Sequence, residues 1–101
     1  PNDDPAVPNV TYMLHQNYPN PFNPETTISF DMPKAGFANL SIYNVKGQLI
    51  KNLINENLDF GRHSVVWNGT DNNGKPVTSG LYLYRLTTNG VTETKKMMLM
   101  K

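Results

Sequence analysis

The sequence predicts an all-β chain folded as an antiparallel sandwich of about seven strands, and three observations carry that expectation. Short runs that alternate apolar and polar residues recur between turn signals every ~8–12 residues. No segment sustains the apolar period of a helix over a useful length. The stretch 67–86, WNGTDNNGKPVTSGLYLYRL, reads as strand, decorated loop and strand. In it Asn68-Gly69 and Asp71-Asn72-Asn73-Gly74 supply residues that tolerate the positive φ of a tight reversal. Residues 81–86 are bulky or aromatic throughout, which suits a pleat with a buried face. Such a unit cannot stand alone in water, so the other segments must lay a second layer over its apolar side.

Taken in order, residues 1–9 open with Pro1-Asn2-Asp3-Asp4-Pro5, too polar to bury much and too proline-rich for a helix. They are expected to be a flexible linker, without the basic start of a signal peptide, on a chain cut from something longer. Residues 10–101 form the single domain, with a short first strand at 10–14 and Tyr12 and Leu14 on one face. The segment 16–24, QNYPNPFNP, has three prolines, each fixing φ and extending its predecessor. It is expected to be an edge crossing that pins Tyr18 and Phe22 to the core, since no P-x-x-P register supports a groove-binding ligand. Residues 26–32 alternate cleanly, Ile28, Phe30 and Met32 inward against Thr27, Ser29 and Asp31 outward. After Lys34-Ala35-Gly36, residues 37–44 place Ala38, Leu40 and Ile42 on one face and Tyr43 on the other. Residues 48–54 fit neither period well and are expected to be a bulged strand. Residues 55–60 read as a loop, 62–67 as a strand with His63, Val65 and Trp67 on one face, and 92–101 as the last strand after Asn89-Gly90.

At 101 residues the chain fits one domain, able to bury roughly two-thirds of the surface its unfolded form exposes. An immunoglobulin-like topology is the expected arrangement, with a small barrel as the alternative. The chain contains no Cys, so no disulfide can bridge the sheets. The centre must be filled by packing alone, from Trp67, Tyr82, Tyr84, Phe30 and Ile42. Nine basic and eight acidic residues are scattered to a net charge of +1, and no field is strong enough to imply nucleic acid or an anionic membrane. No apolar run approaches the ~20 residues of a membrane-spanning helix.

The sequence offers little chemistry. His15 and His63 have no carboxylate at a metal-ligand spacing. Asp71-Asn72-Asn73-Gly74 looks like the opening of a calcium loop, but Tyr82 stands where the closing bidentate Glu belongs, so a turn is the better reading. Glu25, Asp31, Glu56, Asp59, Asp71 and Glu93 are dispersed, with no sign of the paired carboxylates of a hydrolase. Neither a catalytic residue nor a cofactor or metal site is expected. Three glycosylation sequons, at Asn9, Asn39 and Asn68, match a pattern short enough to arise by chance.

The residues do carry a resemblance. The order Gln16-Asn17-Tyr18-Pro19-Asn20-Pro21-Phe22-Asn23-Pro24, then Thr27-Ile28-Ser29-Phe30, then Ile42-Tyr43-Asn44 with Gly47-Gln48, resembles the type A C-terminal sorting domain of the bacterial type IX secretion system. Gly61-x-His63, Trp67-Asn68-Gly69, Asp71-x-x-Gly74, Val77-x-Ser79-Gly80-x-Tyr82-x-Tyr84-x-Leu86 and the ending Lys96-Met97-x-Leu99-x-Lys101 continue it in order and spacing. At Asn68 the family more often has Asp; Asn keeps the turn but loses a charge. The Ig-like domain of flagellar hook-capping proteins shares much of the pattern. The resemblance implies a non-catalytic module that directs an N-terminal cargo across periplasm and outer membrane to the cell surface. Its implied partners are the outer-membrane translocon, a sortase, the cargo and, weakly, a second copy. Recognition is expected at Lys95, Lys96, Met97, Leu99 and Lys101, with Gly80 and Tyr82 on the preceding strand. A different class of reading is an accessory module holding an enzyme to a polysaccharide through exposed aromatics such as Tyr18 or Tyr43.

Overall fold

A computed structural model describes residues 13–101. The expected linker, and all of the expected first strand except Met13 and Leu14, lie outside them. Six strands follow in order: β1 (Thr26–Met32), β2 (Gly36–Asn44), β3 (Leu49–Leu58), β4 (Gly61–Trp67), β5 (Gly80–Thr88) and β6 (Val91–Leu99). They form two antiparallel sheets, β1-β4 and β3-β2-β5-β6. The chain is an all-β immunoglobulin-like sandwich, not a closed barrel.

Alternation sets which side chains meet between the sheets. β1 contributes Ile28, Phe30 and Met32; β2 Ala38, Leu40 and Ile42; β5 Tyr82, Tyr84 and Leu86; β6 Met97 and Leu99; all are buried. Trp67, at the end of β4, sits at the centre of an aromatic cluster. Its ring centroid lies 5.6 Å from Phe22 and 5.4 Å from Tyr82, the latter edge to face, the geometry that aromatic quadrupoles favour. The indole N–H donates to the Thr70 carbonyl at 2.9 Å, so the ring is buried with its polar atom satisfied. The 67–80 loop, closed by Val77 N–H to Gly69 C=O at 2.9 Å, carries the chain from one sheet to the other.

Two elements depart from the sequence expectation, the third and the last strands. Residues 55–58 are strand, because β2 extends to Gly36 and the pairs Asn39–Asn55 to Gly36–Leu58 engage its first half; the loop shrinks to Asp59-Phe60. The register of β2 against β3 shifts at two places, the irregularity expected of a segment that fits no single period. β6 ends at Leu99 and not at Lys101. Among the described residues, segment 13–18 runs antiparallel beside β1 through bridges Leu14–Phe30 and Tyr18–Thr27, alongside the place expected for a first strand.

Candidate functional site

The site expected from sequence is the β5–β6 hairpin and the residues after it, and the structure divides it sharply. Met97, Leu99 and Tyr82 are buried. In the folded domain their side chains face the core and are not offered to a partner. Lys95 lies on the same face of β6 as Met97 and Leu99 and is half-covered, whereas Lys96 and Lys101 are exposed. Gly80 pairs with Leu99 at φ 150, a backbone region that favours glycine. The Tyr82 hydroxyl donates to the Thr78 carbonyl at 2.7 Å and so ties β5 to the loop before it.

β6 is an edge strand, and half of its open edge is covered by the proline-rich crossing. Gln16 Nε2 donates to the Lys96 carbonyl at 2.8 Å, and Met98 N–H donates to Asn20 Oδ1 at 3.0 Å. Phe22 exchanges two backbone bonds with Met98 and Met100, each 3.0 Å. The same crossing bonds on its other side to β1 through His15 N–H to Ser29 C=O and the Tyr18–Thr27 pair. It is therefore a strap that joins one sheet to the other, and it blunts an edge that would otherwise present unpaired backbone groups.

The buried side of the strap is polar and satisfied. The Tyr84 hydroxyl accepts from Asn17 N–H and donates to the His15 carbonyl, both at 2.8 Å. Burial pushes its pKa up to about 12, with the Asn17 N–H opposing. Asn17 Nδ2 donates to Thr26 Oγ1 at 3.0 Å and to the Pro19 carbonyl at 3.2 Å. Glu93 accepts the Leu14 N–H at 2.8 Å and the Met13 N–H at 3.1 Å. Phe22 is pinned to the core as expected, but Tyr18 is not: it is 81% exposed. Its neighbour Asn17 takes the inward position, because only a side chain with both donors and an acceptor can satisfy the polar atoms there.

A second cluster was invisible in the sequence. His15 Nε2 lies 2.7 Å from Asp31 Oδ2, and Arg62 Nε donates to Asp31 Oδ1 at 2.7 Å. The strap, β1 and β4 each contribute one residue, and only the cross-strand pair Asp31–Arg62 and the strap's position bring them together. The hydrogen bond from Arg62 holds the Asp31 carboxyl below its ordinary value, burial opposes this, and His15 adds to it. The same bond raises Arg62. Ser29 and Ser64, two residues along the same pair of strands, bond to each other at 2.9 Å. Asp71 spends Oδ1 on the N–H groups of Asn73 and Lys75 at 2.9 and 3.0 Å, the turn that the sequence favoured over a calcium loop.

Fold and strap define an immunoglobulin-like module organised around backbone edges and a packed aromatic centre. The chain belongs to the FlgD Ig-like domain family, whose model matches residues 17–91, so the match ends where β6 begins. No curated protein matches. Among solved structures, dimeric latent PorU from Porphyromonas gingivalis is similar with a TM-score of 0.71 at 22% identity, over 93% of this chain and 10% of that one. PorZ, a surface component of the type-IX secretion system of the same organism, gives 0.62 at 18% over 87% of this chain and 11% of that one. FlgD of Xanthomonas campestris, described in connection with hook capping in flagellar assembly, gives 0.61 at 23% over 85% and 63%. The chain thus spans about a tenth of PorU and PorZ and under two-thirds of FlgD. At these identities the likeness shows the fold.

Proposed function

We propose that this domain is a non-catalytic sorting module that delivers an attached cargo to the bacterial cell surface through the type IX secretion system. The observation that carries the reading is the match to PorU and PorZ, which takes in nearly all of this chain and about a tenth of each of them. That is how a shared module on otherwise larger proteins behaves, and PorZ is a component of that secretion system. The ending Lys96-Met97-x-Leu99-x-Lys101, which resembles the sorting family, lies beyond residues 17–91 that the FlgD Ig-like family model matches. A receptor that reads many cargos needs a surface the cargo cannot hide. Lys96 and Lys101, exposed on and after the edge strand, offer one, with Met97 and Leu99 setting its position from below.

Point changes separate recognition from folding. Lys96→Glu and Lys101→Glu should barely alter melting, since exposed charges contribute at most about 1 kcal/mol. Together they should cut delivery of a fused reporter by a host with this system. Parental delivery by the doubly reversed, folded variant would remove the basic residues from the signal.

A second reading has one observation in its favour. Tyr18 offers an aromatic face at the surface beside Thr27, the kind of platform on which a sugar stacks. Tyr43 is less suited, because Arg85 lies 4.4 Å over its ring. Sedimentation with insoluble polysaccharide, lost in Tyr18→Ala, is the result this reading requires.

A further inference from the structure

Much of the outer face of the four-stranded sheet is polar, with Asn39 bonded to Asn55 and Thr87 to Thr92 across the strands, but one end of it is apolar. Where β2, β5 and β6 bury alternate residues, the residues between them point outward, and the charges among these are Arg85 and Lys96, both basic, with no carboxylate. At one end of that face two neighbouring rows of the register hold apolar side chains, with Lys96 ending the first row on β6. Leu49 pairs with Tyr43 and Tyr43 with Leu83, while Leu81 pairs with Met98. Leu49, Leu81 and Met98 are 48%, 37% and 37% exposed. Apolar side chains scattered singly need no explanation, but a band continuous across a sheet marks a contact surface.

We infer that this band docks a protein surface whose apolar centre is rimmed by carboxylates. Charge decides the partner: Lys96 pairs with Leu83 inside the band, Arg85 sits over Tyr43 at its border, and both are cations. An approaching acidic rim is steered and held, and a basic one is repelled. Two cations on a flat face fall short of the cluster of about four to eight that an anionic bilayer requires, so a protein is favoured over a lipid surface. The band also runs into the C-terminal segment through Met98, and Lys96 belongs to both. The inference therefore rests on the delivery reading and extends it: the receptor grips the sheet face as well as the strand end.

The test uses the intact domain fused to a reporter in a host with the secretion system. Leu81→Thr/Met98→Thr keeps strand-compatible residues and should lower surface delivery about tenfold or more, as loss of central apolar anchors does. Arg85→Glu removes no apolar anchor and should also lower delivery, which keeps the test decisive if the double variant melts early. Val66→Thr, exposed on the other sheet, should deliver at the parental level. Parental delivery by folded Leu81→Thr/Met98→Thr and by Arg85→Glu overturns the band alone. A parental fusion that is not delivered overturns the delivery reading and the band with it. Sedimentation of the purified domain with phosphatidylglycerol–phosphatidylcholine vesicles, abolished in Leu81→Thr/Met98→Thr, would replace the protein partner with a bilayer and overturn the inference.

Discussion

Trp67 is fixed by contacts of three kinds: an edge-to-face ring from Tyr82, a tilted one from Phe22, and a hydrogen bond to Thr70. Trp67→Ala should therefore cost about 3–5 kcal/mol, readable as a shift of the denaturant midpoint at constant slope. A change under about 1 kcal/mol would mean the cavity refills. Tyr84→Phe should cost about 1–3 kcal/mol, because the Asn17 N–H loses its buried acceptor. Its pH signature is specific. The folded pKa, about 12, lies above the ordinary 10, so the unfolded chain releases this proton first, and its share of stability declines as pH rises between those values. Tyr84→Phe should flatten that alkaline loss. Asp31 works at the other end: its folded pKa is depressed, so its contribution is present above the ordinary 3.8 and disappears as pH falls through the folded value. Asp31→Asn should lower the melting temperature at pH 7 and leave it unchanged in strong acid. Trp67 was legible from sequence because a lone indole ending an alternating run has one place to go. The His15–Asp31–Arg62 cluster was not, since it depends on a register and a strap position that no local pattern encodes.

Among the elements, β1 announces itself by strict alternation, and β2, β4 and β5 by apolar residues at alternate positions, which fall on the inward face as expected. β3 does not, because its bulges break the period and its far half, NENL, is polar; only partnership with β2 makes it strand. The strap is half legible. Its prolines exclude regular structure, and the side-chain bonds of Gln16, Asn17 and Asn20 then decide its path, which explains why Asn17 and not Tyr18 turns inward. If the strap holds the β6 edge, Asn20→Ala should raise hydrogen exchange at Met98 without changing that of the β1–β4 pair. Equal acceleration in both sheets would show instead that the strap supports the whole sandwich and not that edge.

At the scale of the whole molecule, the sandwich belongs to the FlgD Ig-like domain family, and the delivery reading we propose places a signal in the last strand and its outer face. The fold could be read from the sequence because burial imposes its period on the strands other than β3. The surface band could not, because Leu49, Tyr43, Leu83, Leu81 and Met98 are scattered along the chain and become neighbours only through pairing. The central claim is tested by fusing one secreted reporter either to this domain or to the Ig-like domain of a hook-capping FlgD, in a host with the type IX system, and measuring reporter exposed to protease on intact cells. Delivery by this domain and retention of the FlgD fusion is the predicted result. Equal retention of both folded fusions inside the cell envelope would contradict it.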